Sequence, residues 1–104
     1  MQAFAWKMNG KDYSGKMTAL DVAQLETQLG VGVYSITGKL GVNFVLTTLL
    51  LGAKHDNPRL DAEIFGKDFS EEVEKAGMGQ LTNLAMEMLR ASGALGIGEQ
   101  EKKD

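Results

Sequence analysis

The amino-acid sequence predicts a small, mainly α-helical domain of five to six short helices with an N-terminal β-hairpin. Three observations carry that expectation. The pair Asn9-Gly10 sits between short runs of alternating character, and downstream of it apolar residues recur three and four positions apart. Capping residues and glycines then cut the helical stretch into short segments. At 104 residues, 43% hydrophobic and 24% charged, the chain is sized for one core. Residues 1–98 are expected to form a single domain, and 99–104 a flexible polar tail.

The hairpin is expected over residues 3–17. Asn-Gly is the preferred pair for a two-residue type I′ turn, whose central residues both need positive φ. Closing the strands on it pairs Met8 with Lys11, Lys7 with Asp12 and Trp6 with Tyr13, which puts an ion pair on one face and an aromatic pair on the other. Phe4, Trp6, Met8, Tyr13 and Met17 then share the buried face. Two strands alone are marginal in water, so this face needs helices beneath it or a strand from a neighbouring subunit.

Thr18 followed by Asp21 reads as a capping box, and Gly30 as the stop of a helix over 19–29 with the stripe Val22, Leu25 and Leu29. A short helix over 33–40 is expected next, then an apolar one over 42–53 whose Phe44, Val45, Leu46, Leu49, Leu50 and Leu51 cover most of its circumference. Such a helix is central to the fold or shared with a partner. Asn57 as cap, Pro58 at the first helical position and Gly66 as stop predict a helix of two turns. "DFSEEVEKAG" predicts another, with Glu71 and Glu72 near its positive end and a break at Gly77 and Gly79. The last helix is expected over 78–92, with Met86 on the side of Asn83 and Arg90, away from the apolar face.

Several function classes fit poorly. The chain has no cysteine, which removes disulfides and thiolate metal sites. Its longest apolar run, 42–53, is short of the roughly 20 residues of a membrane span. The N-terminus has no secretory pattern, so the product is expected to stay in the compartment that makes it. A net charge of −3 with two arginines and scattered lysines argues against nucleic acid.

The glycine-rich stretch "GVGVYSITGKLG" resembles a phosphate loop only superficially, because Val33 stands where the first glycine belongs and Leu40 follows Lys39. A helix-turn-helix is disfavoured too, since Lys39 is the only basic residue of its second helix. His55, Asp56 and Glu63 are a thin metal-ligand set, and Glu71, Glu72 and Glu74 read as a solvated first turn. No nucleophile has a visible base, so neither enzyme activity nor a cofactor or metal is expected.

What remains is apolar excess. Six methionines, the over-apolar helix 42–53, and Phe65 and Phe69 beside a glycine-broken loop suggest soft surface for a protein partner. The residues expected to contact it are Phe44, Leu50, Phe65, Phe69 and Met86, with core filling as the competing reading of the same side chains.

The succession "NGKDY", "TALDVAQLETQLGVG", "TTLLLGAKHD" and "FSEEVEKAGMGQLTNLAMEMLRASGALG" resembles, in order and over residues 9–96, the small tail assembly chaperones of long-tailed bacteriophages and the related gene transfer agents. "DNPRLDAEIFGKD" departs from the shorter connection of the gene-transfer-agent members. The resemblance implies a protein that binds the tape measure protein, keeps it soluble and helps recruit tail tube subunits, with possible self-association. It also implies residence in the cytoplasm of the bacterial host and absence from the mature virion. A minor tail-completion or head-tail connector protein of the particle is the alternative.

Overall fold

Asn9 and Gly10 take positive φ, 54° and 77°, as a type I′ turn requires. In the computed structural model, which describes residues 3–30, 32 and 41–94, they join β1 (Phe4–Met8) to an antiparallel β2 (Lys11–Gly15). The register is the expected one, Met8 opposite Lys11, Lys7 opposite Asp12 and Trp6 opposite Tyr13. Lys7 Nζ lies 3.2 Å from the Asp12 carboxylate on the outer face. On the inner face the Trp6 and Tyr13 rings stack with centroids 6.1 Å apart. Met8 and Met17 are fully buried.

Four helices follow among the described residues: α1 (Ala19–Leu29), α2 (Val42–Asp56), α3 (Ala62–Ala76) and α4 (Gly79–Ala91). The short helix expected over 33–40 and the tail 99–104 lie outside the described residues. The capping box of α1 is present: Thr18 Oγ1 accepts from the Asp21 N–H at 3.3 Å, and the Asp21 carboxylate accepts from the Thr18 N–H at 2.8 Å. Gly30, at φ 77°, ends the helix and donates its N–H to the Glu26 carbonyl at 2.8 Å.

The two short helices expected around Gly66 are one continuous helix, α3. Asp61 caps it instead of Asn57, its carboxylate accepting from the Glu63 and Ile64 N–H groups at 2.8 and 3.2 Å. Pro58 and Arg59 form the turn before it, closed by Leu60 N–H on the Asn57 carbonyl at 3.0 Å. Gly66 is passed through because an interior glycine costs only about 1 kcal/mol relative to alanine. Phe65 and Phe69, one turn apart, are buried at 0% and 3% exposure and hold the helix together across it. The stop is Gly77, at φ 79°.

α2 is the central helix. Phe44, Val45, Thr48, Leu49, Leu51, Gly52 and Ala53 are all buried, and the helix packs on β2, α1, α3 and α4. Burial around its circumference answers its apolar excess with neighbours from this chain. Its last turn is tied to α1 by His55 Nδ1, 2.9 Å from the Asp21 carboxylate, and Lys16 N–H donates to the Gly52 carbonyl at 3.2 Å.

Candidate partner-binding surface

Asp68, Glu72 and Lys75 lie four and three residues apart on α3, so they share one face, and that face grips the hairpin tip. Asp68 is only 2% exposed. Its carboxylate accepts from the Tyr13 hydroxyl and, at 3.1 Å, from the Asn9 side-chain amide, and stands 3.2 Å from Lys11 Nζ. Glu72 accepts from the Asn9 backbone N–H at 2.9 Å, while Lys75 Nζ donates to the Asn9 side-chain oxygen at 3.1 Å. The buried Asp68 carboxylate is tolerated because Tyr13, Asn9 and Lys11 each favour its charged form.

The titrations follow. The hydrogen bond from Tyr13, then that from Asn9, and then Lys11 hold the Asp68 carboxyl below its usual value, against the opposing effect of burial. Burial first, and then the hydrogen bond to Asp68 and its charge, push the Tyr13 phenol up to about 12. Tyr13 also meets the edge of Phe65, with ring centroids 5.1 Å apart. The hairpin is thus seated on α3 by an aromatic row, Trp6, Tyr13 and Phe65, and by one buried charge.

That seating leaves an open groove of about 500 Å³ between β1, the end of α3 and α4, lined among others by Trp6, Lys7, Glu72, Leu81, Leu84 and Glu87. Trp6 and Leu84 are half-buried, and Leu81 forms part of the floor at 5% exposure. The buried indole N–H of Trp6 meets no acceptor among the described residues. Concave, with apolar and polar lining in near-equal parts and two carboxylates among the polar groups, this is a surface that can hold a protein segment.

The residues expected to contact a partner fall elsewhere. Phe44, Phe65 and Phe69 are core residues, at 4%, 0% and 3% exposure, and the two on α3 are in a helix, not beside a broken loop. Their size explains this: burying a phenylalanine contributes about 2–3 kcal/mol, and the hairpin and α2 supply the cover. Leu50 and Met86 are half-buried against the core. Met86 sits on the flank of α4 opposite the one that carries Leu84 and Glu87 into the groove. The most exposed large apolar residues are Leu20, Val42 and Ile64, each in the first turn of a different helix.

Trp6 was readable as an inward residue, but Leu84 reads from spacing as ordinary core, because nothing in a single helix says where its apolar stripe runs out of cover. His55 and Asp56 serve separate contacts, with Asp21 and with the Ser14 hydroxyl at 3.1 Å. Among the described residues no group of His, Asp and Glu is placed to hold a metal ion, and no helix is long and apolar enough to cross a membrane. No family model matches the chain, and no curated protein or solved structure matches it significantly.

Proposed function

We propose that this protein is a tail assembly chaperone of the kind found in long-tailed bacteriophages and gene transfer agents, acting in the host cytoplasm by binding the tape measure protein and helping to recruit tail tube subunits. The observation that carries the reading is the groove beside Trp6 and Leu84: a trough of mixed apolar and polar lining between the hairpin and a helix pair. The resemblance of segment order supplies the partner's identity. A small acidic domain with such a trough suits transient cover of apolar segments on a larger protein.

Co-expression with the tape measure protein of the same gene cluster tests the proposal. Higher tape measure solubility and a co-purifying complex are expected, together with absence of the chain from purified virions. A folded chain that produces neither effect contradicts the proposal. Recovery of the chain in stoichiometric amount from virions favours a tail-completion or connector protein instead.

A further inference from the structure

We propose that the groove receives an extended partner segment as a third strand on the free edge of β1, with apolar residues at two alternate positions and a lysine or arginine at the next. The inference deepens the reading above and rests on its choice of surface.

A two-residue hairpin loop closes on a hydrogen-bonded pair, here Met8 with Lys11, and such pairs recur at every second position. Trp6 with Tyr13 and Phe4 with Gly15 are therefore the pairs that exchange amide bonds inside the hairpin. The backbone groups of Ala5 and Lys7 point the other way, and among the described residues the sheet has no further strand to meet them. Trp6 and Lys7 form a wall of the groove, so this unpaired edge borders it. Free edges are templates for strand addition unless a charge or a bulge blocks them. Lys7 Nζ is drawn to Asp12, 3.2 Å away on the outer face of the hairpin.

Side chains of an added strand alternate between the two faces, so every second one drops on the Trp6 side, over Leu81 and Leu84. Charge specifies the remainder. Glu72 and Glu87 line the groove, the Lys7 charge is answered by Asp12, and Lys75 is turned to Asn9. Two carboxylates beside the apolar floor of Trp6, Leu81 and Leu84 call for a cation on the incoming segment. A second copy of this chain satisfies that demand poorly. Its β1 holds Phe4, Trp6 and Met8 against its own core and carries Lys7 on the outer face, away from the acids.

The test uses a short synthetic peptide, acetyl-Ser-Val-Thr-Val-Thr-Lys-Ser-amide, and a reordered peptide of the same composition without the alternation, each titrated into the whole chain and followed by NMR. The alternating peptide is expected to bind at least about tenfold more tightly and to slow exchange of the Ala5 and Lys7 amide protons. Ala5→Pro, which removes an outward N–H but no bond within the hairpin, is expected to abolish that binding. Leu84→Asp is expected to do the same. If Ala5→Pro fails to fold, protection at Ala5 and Lys7 decides alone.

Three results overturn the inference: no binding of the alternating peptide at millimolar concentration, binding that leaves Ala5 and Lys7 unprotected, or sedimentation of the free chain as a dimer with those amides already protected. Each leaves the chaperone reading to be decided separately by the co-expression experiment.

Discussion

Gly15 of β2 and Gly52 of α2 meet backbone to backbone: a Cβ on Gly15 would lie 2.4 Å from both the carbonyl carbon and oxygen of Gly52. No side-chain rotation relieves that contact, because the obstructing atoms are main chain. Gly15→Ala is therefore expected to lower stability by about 3 kcal/mol, at the upper end of overpacking costs. Gly52→Ala meets instead the thioether sulfur of Met88 at 2.8 Å, a flexible neighbour, and also gains helix propensity. Its cost is expected to be nearer 1 kcal/mol. Urea denaturation of both variants checks the order.

Acid is expected to loosen the hairpin through Asp68. Its carboxyl is held below the usual value in the folded chain, so its contribution is fully present above the unfolded pKa, about 4, and is lost as pH falls through the folded one. Asp68→Asn should therefore be less stable than the parent at neutral pH, with the gap closing below about pH 4. Thermal melts of both proteins across the acid range test this, and a gap that does not change with pH would argue against a buried, charged Asp68.

Alkali acts on the other partner. Tyr13, raised to about 12, contributes stability that is present below the ordinary phenol value of 10.0 and disappears as pH rises through the folded value. Tyr34 is the only other tyrosine, so in a Tyr34→Phe background the ultraviolet titration reports Tyr13 alone. Ionisation near 12 is expected, and ionisation near 10 would mean that the hydroxyl is not engaged by Asp68.

Gly66→Ala should stabilise the chain by up to about 1 kcal/mol, since the residue is interior to α3 and an added Cβ meets nothing within 4 Å. An unchanged or lower melting temperature would imply a break in α3 at this point.

The same glycine shows where sequence reading fell short. Gly30 and Gly66 look alike in a string of letters, yet only Gly30 has the positive φ that ends a helix. What separates them is tertiary: Phe65 and Phe69 bury one face of α3 on both sides of Gly66, and the cap is Asp61, four residues beyond the Asn57 expected to serve. Local rules worked where the chemistry is local, in the Asn9-Gly10 turn, the hairpin register and the Thr18-Asp21 box. The surface was less legible. Phe44, Phe65 and Phe69 carried the signal of apolar excess, but burial by distant segments removed them from view. The groove arises between β1 and α4, which are far apart in sequence, and no pattern within either element announces it.

Amide hydrogen exchange of the chain in complex with the tape measure protein tests the central claim most directly. Protection is expected to concentrate on β1 at Ala5 and Lys7 and on α4 over residues 80–87. A stable complex in which those segments exchange as they do in the free chain would contradict the groove as the site of partner binding.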